Sequence, residues 1–114
     1  MDEAAIGDVF AAFRPVRCRA MFGGLGLYAE GVMFGLVADD RIYLKTDPAF
    51  AAELAQHGAE PFVYEARGRQ VRMAYWSLPD AALDDAEAAA ELAARALRLA
   101  LAAKAMKPPR RPRG

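Results

Sequence analysis

Apolar and polar residues alternate with a period of two through Val32, Phe34 and Leu36, and again through Ile42 and Leu44, as strands with one buried face require. Glu30-Gly31 and Asp39-Asp40 sit between the runs at hairpin spacing, and Gly31 gives easy access to positive φ. Met21 to Lys45 therefore reads as a meander of three strands. Ahead of it, Ile6, Val9, Phe10 and Phe13 share one helical face within residues 2–13, and Pro15 prevents continuation. Behind it, Asp47-Pro48 places a capping acid before proline at the first helical position, and Gly58 supplies the stop. That predicts a short helix over 48–57 burying Phe50 and Leu54. Two more strands follow, Phe62–Glu65 and Gln70–Trp76, joined across Arg67-Gly68. On the second, Val71, Met73 and Tyr75 share one face while Arg72, Ala74 and Trp76 share the other.

An alanine-rich helix is expected from Asp84 or Asp85 to about Met106. Its acids (Asp84, Asp85, Glu87, Glu91) come early and its cations (Arg95, Arg98, Lys104) late, the order that complements a helix dipole. Leu92, Leu97, Leu99, Leu101 and Met106 give it an apolar stripe, and its alanines allow close approach to a sheet. The predicted order is α-β-β-β-α-β-β-α. This is an α+β domain with a five-stranded antiparallel sheet.

At 114 residues the chain makes one domain, and its apolar fraction of 55% belongs to a globular protein. No apolar run approaches the ~20 residues of a membrane helix, and the acidic start MDEAAIGD lacks the basic region of a secretory signal. A cytoplasmic location and no membrane partner are the expectations. The formal net charge of zero hides an asymmetry: five of the 15 Lys and Arg residues lie in the last eleven positions, leaving ten against 15 acids in residues 1–103, about −5. Such a body is a poor general surface for nucleic acid. Residues 107–114, KPPRRPRG, cannot continue a helix and have nothing apolar to bury, so they read as a disordered basic tail after a folded domain of residues 1–106.

Candidate chemistry is sparse. Gly24-Leu25-Gly26-Leu27-Tyr28-Ala29 matches a loose dinucleotide pattern, but that pattern needs a following helix to hold a pyrophosphate. A strand follows here, so the glycines read as a bulge or a place of close approach. His57, the one histidine, falls in the last turn of the short helix and suits capping. Cys18 stands between Arg17 and Arg19, which would lower its thiol pKa if the sulfur were exposed; a cleft beside Gly23-Gly24 is the other small-molecule candidate. Asp39-Asp40 and Asp84-Asp85 supply too few convergent oxygens for a divalent ion. No catalytic residue, metal site or cofactor is expected, and the chain is read as non-enzymatic. Arg41, Tyr43 and Lys45 lie opposite Ile42 and Leu44, and with Arg72 and Trp76 they make a candidate interaction face. Cations interleaved with aromatics serve single-stranded nucleic acids elsewhere, so nucleic-acid binding by this face and the basic tail is the alternative function.

Met21-Phe22-Gly23-Gly24, followed by Gly26, Tyr28, Gly31 and Phe34 and supported by Met73, Tyr75 and Pro79, closely resembles the N-terminal domain of the TfoX/Sxy competence-regulator family over residues 5–103. The resemblance implies a two-layer fold like that of type III secretion chaperones, with the signature residues serving as scaffold. It implies a transcription-related regulatory or adaptor role through protein contacts, with a regulator protein as partner and a homodimer formed through the sheet or the first helix. Full-length members carry a second, helical domain similar to DNA-binding modules. These 114 residues hold no counterpart of it, and direct promoter binding by them is not expected.

Overall fold

The computed structural model describes residues 1–21 and 23–106; Phe22 and the predicted tail at 107–114 lie outside the described residues. The elements run α1 (Glu3–Val9), β1 (Arg17–Met21), β2 (Gly24–Ala29), β3 (Val32–Ala38), β4 (Arg41–Lys45), α2 (Pro48–Gln56), β5 (Pro61–Ala66), β6 (Arg69–Ser77), α3 (Asp80–Leu83) and α4 (Ala86–Met106). The antiparallel sheet has the order β1-β2-β3-β4-β6-β5. The α+β class and the antiparallel sheet are as expected, but among the described residues the strands number six where five were predicted. The extra one is β1. Its segment, Arg-Cys-Arg-Ala-Met, alternates only through the small residues Cys18 and Ala20, a weak strand signal, and it pairs with the open edge of β2, Cys18 with Leu27 and Met21 with Gly24.

Local chemistry accounts for the helices. The Asp2 carboxylate accepts from the Ala5 N–H at 2.9 Å, and Asp47 accepts from Phe50 N–H at 2.8 Å with Pro48 in the first turn, each satisfying a donor the helix cannot. Gly58, at φ +84°, ends the region after α2. The Asp85 carboxylate accepts from Ala88 N–H at 3.1 Å and starts α4. Asp84 ends the separate short helix α3, which the single predicted helix did not anticipate.

The helices and one face of the sheet enclose the main core. Ile6 from α1 and Phe10 at its C-cap, Leu27, Phe34 and Leu44 from the sheet, Phe50 and Leu54 from α2, and Ala89, Ala93 and Ala96 from α4 are all buried. Phe10, Phe13 and Phe34 meet edge to face, with centroids 5.4–6.3 Å apart, an arrangement that adds to burial. Arg95 of α4 lies over the Phe50 ring at 4.2 Å and pairs with Glu53, whose carboxyl it holds below the ordinary range.

One irregularity decides which residues face this core. Leu27 pairs with Gly35 but Tyr28 pairs with Met33, so Phe34 is an extra residue in β3. Such a bulge shifts the alternation by one. Val32 and Phe34 therefore enter the core, whereas Leu36, predicted on the same face, joins Tyr43 and Tyr75 on the other side. Glycine makes the surrounding strands fit: a Cβ on Gly24 would stand 2.0 Å from the Val37 carbonyl oxygen, and one on Gly35 2.7 Å from that of Tyr43.

These contacts set opposite expectations for two glycine-to-alanine changes. Gly24→Ala should lower the unfolding free energy by at least about 2 kcal/mol, since backbone must move to admit the methyl. Gly7→Ala, in α1 with open space around it, should raise it by about 0.5–1 kcal/mol. Urea titrations of both variants measure the difference.

Candidate functional site

The second face of the sheet carries its own small cluster. Leu36, Tyr43 and Tyr75 are buried there, with Met33, Phe62 and Met73 packed against them; every member comes from a strand. At the β1–β2 end, Gly26 leaves room for three neighbours: its missing Cβ would meet the sulfurs of Met21 and Met33 and the ring of Tyr28 at 2.9–3.0 Å. At the other end the β5–β6 hairpin brings in Phe62, whose ring lies 5.0 Å from Tyr43 and 6.0 Å from Tyr64. Between the two ends runs a groove of about 560 Å³, lined by Met21, Leu36, Phe62, Tyr64 and Met73 with the Gly24 backbone at its edge. Its size and apolar lining are those of a binding cleft. It lies beside the Gly23-Gly24 turn, where Gly23 takes φ +77°, the place where a cleft was one of the sequence candidates.

The predicted interaction residues divide between faces. Arg41, Tyr43 and Lys45 line the groove side, and Arg41 and Lys45 stand over the Tyr43 and Tyr75 rings at 5.8 and 5.6 Å. Arg19 stands over Tyr28 in the same way at 5.7 Å. Trp76 does not join them: it pairs with Leu44 and packs on the main core. Arg72 pairs with Val63 on that same other side. The residues that do complete the face are Tyr75 and Met73, placed by parity on the neighbouring strand, together with Phe62 and Tyr64 on β5. Their signal was the Phe62-x-Tyr64 spacing opposite Val71-x-Met73, which has meaning only once the hairpin register is known. Tyr43 and Tyr75 are 8% and 6% exposed and topped by cations, so their ring faces are not open to stacking bases.

The remaining signature residues act in geometry. Gly31 turns between β2 and β3 at φ +80°, and Phe34 is fully buried. Burial pushes the Tyr75 phenol above its ordinary value, with Tyr28 adding to the effect.

Cys18 lies on the core side of β1 beside a shallow hollow that Glu3 also lines. Arg17 and Arg19 border the same hollow but alternate onto the opposite face of the strand, pairing with Tyr28 and Gly26, and the thiol's pKa follows burial and Glu3 rather than these cations. Partial burial, then the Glu3 carboxylate, push its pKa above the usual 9.0. Among the described residues no group of three or more His, Cys, Asp and Glu side chains is placed to hold a metal ion, and no helix is long and apolar enough to cross a membrane.

The sequence profile of the TfoX N-terminal domain matches residues 8–100. The chain belongs to the TfoX N-terminal domain family. It is 43% identical over 44 residues to the DNA transformation protein TfoX1 of Aliivibrio fischeri, a stretch that is 39% of this chain and 21% of that protein. The match thus spans about a fifth of the relative's length. The family assignment agrees with the glycines and aromatics that shape β2, its turns and β3.

The Cys18 environment gives a pH expectation. A raised thiol pKa means that the folded state binds this proton more tightly than the unfolded state. The stabilisation is therefore complete below pH 9.0 and fades as pH climbs through the folded value. Iodoacetamide should alkylate folded Cys18 more slowly at pH 8 than the same thiol in guanidinium; equal rates would show an exposed, ordinary thiol.

Proposed function

We propose that this chain is a regulatory domain without catalysis of its own, which works by holding a protein partner against the face of the sheet opposite the helices. The observation that carries this reading is the groove between Met21, Leu36, Phe62, Tyr64 and Met73. Methionine and aromatic side chains suit adaptable contacts, because thioethers repack at low cost and rings bury large area. Arg41 and Lys45 border the aromatic cluster and favour a partner with acids beside its apolar contact residues. The family supplies the setting: a relative is a DNA transformation protein, so control of competence genes in the cytoplasm, beside a transcription regulator, is where the partner is to be sought. The likeness to type III secretion chaperones belongs to the same proposal and rests on the family resemblance.

Nucleic-acid binding remains the second reading. Its support is the row of cations Arg19, Arg41 and Lys45 on one face. Against it stand the capped rings beneath them, those of Tyr43 and Tyr75 buried and that of Tyr28 half-buried. Fluorescence anisotropy with a single-stranded oligonucleotide should therefore show no binding that steepens as salt falls.

Tyr64 is 42% exposed at the groove, so Tyr64→Lys should leave circular dichroism and stability within about 0.5 kcal/mol of the parent. In the native host the same change should abolish retention of the partner and shift competence transcripts toward those of a deletion strain. Parental transcript levels and undiminished protein association in Tyr64→Lys and Met73→Glu strains would remove the groove from the function.

A further inference from the structure

The two edges of the sheet are unlike. The β1 edge carries Arg17 and Arg19, both exposed, and repeated like charge on an edge resists pairing. On the β5 edge, by contrast, Val63 and Tyr64 are 40% and 42% exposed in mid-strand, and Glu65 is the one charge between Pro61 and Ala66. We propose that β5 pairs antiparallel with β5 of a second copy about a two-fold axis at Val63, making the protein a dimer with one continuous sheet. Phe62 and Tyr64 border both the groove and this edge, so the experiments below act on Val63, which does not line the groove, and their outcome is separate from that of the partner-binding reading.

Hydrogen-bond geometry selects this register. Arg67 and Gly68 close the hairpin at φ +53° and +74°, with Ala66 paired to Arg69, which is a two-residue turn of the type favoured by twisted hairpins. The pair flanking such a turn exchanges both backbone bonds, and bonding alternates from there. Tyr64 therefore bonds inward to Val71, while the N–H and C=O groups of Val63 and Glu65 point outward at the free edge. The irregularity near this end adds residues to β6, where Phe62 stands opposite Met73 to Tyr75, and leaves β5 without an insertion.

With the axis on Val63, the two Val63 residues exchange two backbone bonds, and each Glu65 N–H donates to the Pro61 carbonyl of the other copy. Proline, lacking an N–H, then stands where its missing donor leaves a single carbonyl unpaired on each side. The same register sets Phe62 opposite Tyr64 of the second copy, twice, on the groove face, where the two rings already stack within each chain. The Val63 side chains cover each other on the opposite face. Charge is compatible: Ala66 falls opposite Glu60 of the second copy, an exposed carboxylate that pairs with Arg41 of its own chain at 3.5 Å, and Arg67, which makes no ion pair among the described residues, comes within one step of it.

Sedimentation equilibrium of the full chain should show a reversible dimer with Kd below about 1 mM. Val63→Lys places two like charges face to face and should weaken the dimer at least tenfold. Val63→Pro removes the outward N–H without touching the β6 ladder and should do the same, with unchanged circular dichroism in both. In a Cys18→Ser background, Val63→Cys should form an intermolecular disulfide on mild oxidation, because the paired Cα atoms would be about 5.5 Å apart. An Arg72→Cys control, one strand inward, should not crosslink. A monomer at every concentration, a dimer indifferent to Val63→Lys, or crosslinking at Arg72 in preference to Val63 each overturns the proposal.

Discussion

The extra residue at Phe34 is the constraint on which the rest of the structure depends. Without it, strict alternation would send Val32, Phe34 and Leu36 to one side, and the face away from the helices would lose its aliphatic centre. With it, Phe34 fills the main core against Phe10 and Phe13 while Leu36 supports Tyr43 and Tyr75 on the other side. A single strand thereby supplies two cores. Glycine at position 35 is part of the same device, because a side chain there would press on the Tyr43 carbonyl.

The two faces use different materials. Alanines of α4 and the phenylalanines just after α1, in α2 and in β3 make a dense interior in which small and large residues interlock. The other side uses tyrosine and methionine, with arginine and lysine laid across the rings. Long side chains that cover the pleat keep that face compatible with water, yet a groove persists between β1 and the β5–β6 hairpin. Gly24, Gly26 and Gly35 let the strands of this platform close up, and methionines and aromatics line the groove on it.

Ser77 shows how polar groups are reconciled with this packing. It is 1% exposed, accepts from Glu60 N–H at 2.9 Å and from the Arg41 guanidinium at 3.3 Å. One hydroxyl thus ties the entry of β5 and the start of β4 to the end of β6, satisfying groups that burial would otherwise leave unpaired.

The residue pattern alone determined the α+β class, the meander of β2 to β4, the capped helix α2, the β5–β6 hairpin and the long α4. Each of these rests on local rules of periodicity, capping and turn conformation that act within a few residues. Tertiary structure decided what local rules cannot reach. Strand β1 forms only because a neighbouring edge accepts it, Leu36 changes sides only because β3 is one residue longer than β2 at the bulge, and Cys18 feels Glu3 only because the two line one hollow in the folded chain. The composition of the groove was hidden for the same reason: Arg72 and Trp76 could not be told from Met73 and Tyr75 until pairing with β4 fixed which parity of β6 shares a face with Tyr43. Register between strands distant in sequence depends on long-range contacts, and those contacts leave no periodic trace in either strand by itself.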